Sequence, residues 1–215
     1  IHGFEPMAAN QLWAADITYI MLNNGDVCYL HLITDAYSRM IVGWELADTL
    51  RASITIKALE QAISQTGGVS LEGLIHHSDR GVQYCCDDYV RTLQTHKIKI
   101  SMTEDYNPTD NAIAERANGV IKTETVYSRK TFNSLEHARN VIGRFIHFYN
   151  YRRPHMSIGY KIPAVVHTET GAQKKMWKKN NYPKKAYNNG NNEISLPCQT
   201  TGADDGCNHH TVYSI

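Results

Sequence analysis

Alternating apolar and polar positions mark the first hundred residues of this 215-residue chain. From Leu12 to Ile20, Trp13, Ala15, Ile17 and Tyr19 share one face while Ala14, Asp16 and Thr18 share the other, and Asn23, Asn24 and Gly25 follow. A period of two closed by turn residues predicts a strand. Val27 to Thr34 is apolar almost throughout, which suits a strand covered on both faces. Asp35-Ala36-Tyr37-Ser38 turns the chain into a third strand, Met40 to Leu46. From Ser53, a residue type that caps helices, Ile56, Leu59 and Ile63 recur at helical spacing until Gly67 and Gly68 stop the run. A short strand from Leu74 to His77, a helix from Asp87 to His96 and a strand from Ile98 to Met102 complete a predicted order of βββαβαβ.

The second half reads as helical. The polar stretch from Thr103 to Thr109 has no apolar anchor beyond Tyr106 and is expected to be mobile in the free protein, and Asp110 can cap a helix reaching about Tyr127. A further helix starts near Ser134 and would bury Leu135, Ala138, Ile142, Phe145 and Tyr149, ending at Arg152-Arg153-Pro154, since proline pushes the residue before it out of the helical region. From Glu169 onward the periodicity disappears and six lysines sit among Asn and Gly, a composition of disorder. The expected organisation is a lead-in at 1–10, a core at 11–168 and a basic, disordered tail at 169–215.

Composition changes the picture only through its distribution. With 42% hydrophobic and 20% charged residues the chain is an ordinary globular one, no run of 18 apolar residues suggests a membrane span, and a cytoplasmic protein is expected. Its five scattered cysteines are read as reduced thiols. Cys198, Cys207, His209 and His210 lack the usual zinc-ligand spacing, so no zinc site is expected there. A first residue of Ile rather than Met reads as the start of a fragment or processed product. The net charge is +1, yet residues 1–115 hold 7 Lys/Arg against 15 Asp/Glu, a balance of −8, and residues 116–161 hold 9 against 2, a balance of +7. One region suited to cations and another suited to a polyanion would look like this, and so would two solvated faces.

Three acids carry candidate chemistry. Asp16 stands mid-strand between the small same-face neighbours Ala14 and Thr18, where an ionised group needs a partner or a metal; a water-facing strand end is the competing reading. Asp79 follows the apolar Leu74-Ile75, at the strand end where ligands collect in α/β sheets, although Ser-Asp-Arg-Gly is also a good turn. At about 100° per residue, Asn111, Glu115, Asn118 and Lys122 fall within an arc of about 60° opposite Ile113, Ala117, Val120 and Ile121. Three carboxylates on two strands and a helix suit a pair of Mg²⁺ or Mn²⁺ ions, which take oxygen ligands and could promote in-line phosphoryl displacement. With 21 acids in the chain, spacing alone selects no single triple.

The strings around these acids select one. Trp13-Ala14-Ala15-Asp16-Ile17-Thr18-Tyr19, Asp35-Ala36-Tyr37-Ser38-Arg39, His77-Ser78-Asp79-Arg80-Gly81-Val82-Gln83-Tyr84, Pro108-Thr109-Asp110-Asn111-Ala112 and Tyr149-Asn150-Tyr151-Arg152-Arg153-Pro154-His155 occur in order, with 35 residues between Asp79 and Glu115. Across residues 11–168 they resemble the catalytic core of bacterial insertion-sequence transposases of the retroviral-integrase type. The resemblance implies a ribonuclease H-like α/β fold with a five-stranded mixed sheet in order 3-2-1-4-5 flanked by helices, consistent with the order of elements read above. It further implies that Asp16, Asp79 and Glu115 are an Asp-Asp-Glu triad binding two Mg²⁺ or Mn²⁺ ions. Lys122 matches the basic position that contacts DNA near the element's end, while Arg116 stands where relatives often carry a small residue.

The implied activity is 3′-end cleavage and strand transfer, with transposon ends and target DNA as partners, a homo-oligomer in the DNA complex, no membrane, and association with the nucleoid when DNA is bound. Asn111, Asn118, Arg80, Gln83, Arg152, Arg153 and His155 join Lys122 as candidate DNA contacts. His77 and Tyr84 could touch substrate or be core residues, and Arg152 and Arg153 could instead cap a helix. Intact relatives carry a DNA-binding region before the core, and none can be read before Trp13, so contact with DNA without end-sequence specificity is expected. A nuclease of the same fold would keep the triad but not the Tyr149-to-His155 string, and a DNA-binding protein that had lost catalysis would not need all three acids.

Overall fold

The computed structural model describes residues 4–103, 112–126 and 132–173. By its contacts the chain divides into units 1–178 and 179–215, and every described residue belongs to the first. Strand β1 (Leu12–Met21) pairs antiparallel with β2 (Val27–Asp35), which pairs antiparallel with β3 (Ile41–Ala47). On its other side β1 runs parallel to β4 (Ile75–Ser78), and β4 parallel to β5 (Lys99–Met102), giving the order β3-β2-β1-β4-β5. This is the sheet that the resemblance implied, built from the strands that the residue pattern predicted.

The alternation along β1 decides which helices cover which face. Trp13 and Ala15 point to the side covered by α1 (Ala52–Gln65) and α2 (Asp87–Thr95), where Leu59, Leu74, Tyr89 and Leu93 complete an apolar core. Ile20, with Leu30, Leu32 and Leu46 from β2 and β3, faces α3 (Ala112–Ile121) and α4 (Leu135–Tyr151), which contribute Ile121, Ile142 and Ile146. Both faces of β2 are therefore buried, as its continuous apolar run requires.

Ends of elements differ in detail from the sequence pattern. Arg51, not Ser53, occupies the N-cap of α1, so Ser53 lies within the first turn. The helix stops at Thr66 because Gly67 and Gly68 take φ of 64° and 85°, a region open to residues without a Cβ. Ser134 does cap α4, its hydroxyl accepting the His137 amide at 3.1 Å. Helix α3 ends at Ile121 and gives way to a π turn, Lys122–Val126, one residue per turn looser. Asp110 and Tyr127 lie outside the described residues, as does the polar stretch from residue 104.

The packed unit is wider than residues 11–168. Ala8 bridges Thr170, the Gly171 amide donates to Met7 O at 2.7 Å, and Tyr37 Oη donates to Gly171 O at 3.0 Å. Backbone partners, invisible to a periodicity argument, tie both the lead-in and residues 169–173 to the core. After α4 the chain forms a short 3₁₀ turn, Met156–Ile158, and α5 (Pro163–Val166), whose Val166 packs with Ile158 against Tyr37. No helix among the described residues is long and apolar enough to cross a membrane.

Candidate active site

Two parallel strands that part company create the site. The register pairs Leu12 with Ile75, Trp13 with His76 and Ala14 with His77, after which the pairing ends. Asp16 on β1 and Asp79, just past β4, each lie two residues beyond Ala14 and His77, level with one another where the strands separate. Helix α3 crosses the same face of β1, and Asn118 donates through Nδ2 to Asp16 Oδ2 at 2.7 Å. Glu115, one turn earlier on α3, is exposed.

The electrostatics agree with convergence of the three acids. Burial is the main reason that the Asp16 carboxyl is pushed up to about 6; the Asn118 amide and the Ile17 amide oppose the rise, and the charges of Asp79 and Glu115 add to it. Like charges disfavour one another's ionised forms, so the acids sense each other across the cleft. They are nonetheless not gathered: among the described residues, no three His, Cys, Asp or Glu side chains are grouped to hold a metal ion. Asp79 Oδ1 instead accepts the amide of Gly81 at 2.9 Å. A Cβ at Gly81 would stand 2.9 Å from Asp79 Oδ1 and 3.1 Å from Gln83 Oε1, so this glycine leaves room for the carboxylate and brings Gln83 beside it.

Several candidates have tasks that the helical wheel and the motif strings did not reveal. Asn118, expected on an open DNA-facing file, is 4% exposed and committed to Asp16. Ala114, Ala117 and Ile121 are buried around it while Ile113 and Val120 are only half-buried, because the sheet is met by a different arc of the helix. Lys122 is half-buried with Nζ 4.1 Å from the ring centroid of Tyr19, a cation–π contact. Arg80 is exposed and Gln83 half-buried. Arg152 is exposed at the C-cap of α4. Arg153 is engaged by Glu124 through Nε at 3.2 Å. His155 is buried edge-on against Tyr149 at 4.4 Å, and burial together with the nearby Arg153 lowers it to about 4, so it is a neutral imidazole rather than a cation for phosphate. Asn111 lies outside the described residues.

The remaining motif residues are structural. His77 is buried and shares a 3.0 Å hydrogen bond with Ser101 of β5, and Tyr84 is a core residue packed on Tyr89. Asn150 is the member of its string that sequence reasoning passes over. Its Oδ1 accepts the Ile41 amide and its Nδ2 donates to Ile41 O, both at 2.9 Å, completing the start of β3 as another strand would. The signal is there in a buried-side amide next to Tyr149, but its partner is 109 residues away.

Comparison with known proteins places this chain in a family. Two models, both described as integrase core domain, match residues 6–108 and 96–163. A Mycobacterium tuberculosis protein assigned as the transposase for insertion sequence element IS986/IS6110 is 36% identical over 174 residues, which span 80% of this chain and 62% of the relative. The 31 kDa protein of insertion element IS600 from Shigella sonnei is 39% identical over 75% of this chain and 58% of its own length, and the InsF transposase of IS3A from Escherichia coli 32% identical over 73% and 53%. The chain thus spans about three-fifths or less of the length of these curated relatives. In solved structures, the simian T-cell lymphotropic virus intasome contains a chain of the same fold, with a TM-score of 0.66 and 20% identity over 83% of this chain and 62% of that one. The magnesium complex of the HTLV-2 integrase catalytic core aligns with a TM-score of 0.59 and 20% identity, over 76% of this chain and 99% of that core. The sheet order and the two family models, which together match residues 6–163, mean that the chain belongs to the integrase core domain family, and over most of its length it is similar to insertion-sequence transposases.

Proposed function

We propose that this chain performs divalent-metal-dependent phosphoryl transfer on DNA, cleaving at the 3′ ends of a mobile element and joining the freed 3′-hydroxyl to target DNA. The observation that carries this reading is the parting of β1 and β4 with Asp16 and Asp79 level at the fork and Glu115 within electrostatic range on α3. The donor chemistry fits hard cations: three carboxylates, one of them half-buried and raised mainly by that burial and further by the charges of the other two, relieve their repulsion by sharing a dication. Asp16, Asp79 and Glu115 would hold two Mg²⁺ or Mn²⁺ ions, which when bound polarise a water or 3′-hydroxyl and stabilise the leaving oxygen. Asn118 fixes the Asp16 rotamer, and the Gly81 amide holds Asp79 until its carboxylate turns inward. Lys122 and Arg80 flank the cleft as phosphate contacts. Element ends and target DNA are the proposed partners, in a homo-oligomeric complex; the HTLV-2 cores of the same fold are recorded in dimeric and trimeric forms.

The test is a strand-transfer assay with a labelled element end, with and without Mg²⁺. Metal-dependent joined product supports the reading, and cleavage of RNA–DNA hybrids without any joining would replace it by a nuclease.

A further inference from the structure

Beside α3, on the side away from Asp16, lies a cavity of about 700 Å³ to which the proposed chemistry assigns nothing. Thr34, Arg39, Arg116 and Tyr149 line it, with Ile113 and Val120 as apolar wall. Thr34 is 1% exposed, and its hydroxyl has no hydrogen-bond partner among the described residues; neither has Nε of Arg39. Neither atom is itself open to the cavity, so the two mark a polar, desolvated wall behind it, and the cations a ligand can reach are the half-buried Arg39 and the exposed Arg116. Arg39 senses the opposite charge of Asp35 behind it and the like charge of Arg116, and no carboxylate appears among the described residues of the lining.

The backbone of Arg39 adds an independent argument. It closes the β2–β3 turn with φ of 67°, its amide donating to Asp35 O at 2.9 Å. That left-handed position favours glycine, or failing it Asn or Asp. A bulky cation held there against both its backbone preference and its desolvation suggests that its side chain has a task in the cavity, since strained residues of this kind collect at ligand clamps.

We propose that the cavity is a nucleotide pocket, taking one unstacked nucleotide with its phosphate toward Arg39 and Arg116 and its base against Ile113 and Val120. A phosphate alone would leave most of the volume empty, whereas a guanidinium pair beside an apolar wall matches phosphate and base together. The DNA strand passing Glu115, on the neighbouring face of the same helix, is the source that the proposed function supplies, and the inference rests on that reading for the source alone.

The experiment is calorimetric titration of the full chain, without Mg²⁺, with thymidine 5′-monophosphate, thymidine, inorganic phosphate and a single-stranded trinucleotide. Saturable binding of the monophosphate, stronger than that of thymidine or phosphate, is expected. Arg39→Gly should weaken it at least tenfold while the melting temperature holds or rises, because the backbone is relaxed. Arg116→Ala, an exposed position on α3, should weaken it likewise and serves if Arg39→Gly does not fold. Tighter binding of the trinucleotide assigns the pocket to DNA, and equal or weaker binding assigns it to a free nucleotide. Absence of saturable monophosphate binding, or wild-type affinity in Arg116→Ala and in a folded Arg39→Gly, overturns the pocket. Because neither metal nor catalysis enters the titration, a failure of strand transfer does not alter the measured affinities, and an inert pocket leaves strand transfer untouched.

Discussion

Asp16 shows how a single residue can be costly to the fold and valuable to the site. Its raised carboxyl, about 6 mainly through burial, means that ionisation at neutral pH opposes folding by about 1–3 kcal/mol. Asp16→Asn keeps an oxygen for the Asn118 amide and removes the charge. The variant is therefore expected to unfold at higher denaturant concentration than wild type at pH 7.5 without metal, while strand transfer is abolished. Asp79→Asn and Glu115→Gln, both at exposed positions, should abolish activity with little change in stability and with DNA binding retained; near-wild-type turnover of any of the three in Mg²⁺ and Mn²⁺ would remove that acid from the assignment. Lys122 makes a separate prediction. If it neutralises one phosphate, Lys122→Ala lowers the slope of log affinity against log salt by about 0.9 for duplex or about 0.7 for single-stranded DNA. Lys184→Ala, outside the described residues and surrounded by other lysines, should do much less, and a salt titration in which Lys184→Ala has the larger effect would move the DNA surface away from the α3 face.

At the scale of elements, β3 is clamped between the two helical layers by size complementarity. A Cβ on Gly43 would run into the Ala58 carbonyl of α1, while one on Gly143 of α4 would stand 3.1 Å from the Trp44 ring. Backbone cannot step aside as a flexible side chain can, so Gly43→Ala should cost about 3 kcal/mol, read as a shift in the urea midpoint. Gly119→Ala is the matched control: it lies within α3 with nothing within 4 Å of the added carbon. It should stabilise by about 0.5–1 kcal/mol, and equal midpoints for the two variants would show that α1 and β3 are not packed this closely. The π turn after Ile121 matters for the same helix, since it changes the phase between Glu115 and whatever follows Lys122.

For the molecule as a whole, acid is expected to be destabilising. His31, His76 and His155 are each lowered to about 4, principally by burial. Between about 6.5 and 4 the unfolded chain therefore binds protons that the folded one refuses, and stability falls as pH drops through this window. Asp16 acts in the opposite sense, since below about 6 its folded form takes up the proton more readily than the unfolded one. Three groups outweigh one, so the melting temperature without metal should decline from pH 7 to pH 4, and more steeply in Asp16→Asn, which lacks the opposing group. A melting temperature that rises on acidification would contradict the burial of these histidines. His31 shows the cause: its ring is buried with Nδ1 2.9 Å from the Thr55 hydroxyl, so an imidazolium there would lose its water for neutral partners.

The sequence by itself determined the strands and their order along the chain, because a period of two is a local signal that survives without a partner, and its motif strings singled out three candidate acids. Through the resemblance it also determined the 3-2-1-4-5 sheet seen in the structure. What only tertiary structure decided are the relations between distant segments. Asn118 donates to Asp16, 102 positions away; Asn150 completes the start of β3; and backbone hydrogen bonds tie Gly171 to Met7 and Gln11 to β4. The helical wheel ranked the positions of α3 correctly around the axis but could not say which arc would meet the sheet, because that depends on where the sheet lies. Arg39 was visible only as a letter in a motif, and its left-handed backbone and unsatisfied guanidinium at a cavity came from how β2 turns into β3 beneath α3. Hydrogen bonds and cavities are properties of pairs and surfaces, and a one-dimensional pattern carries only the faces that can take part in them.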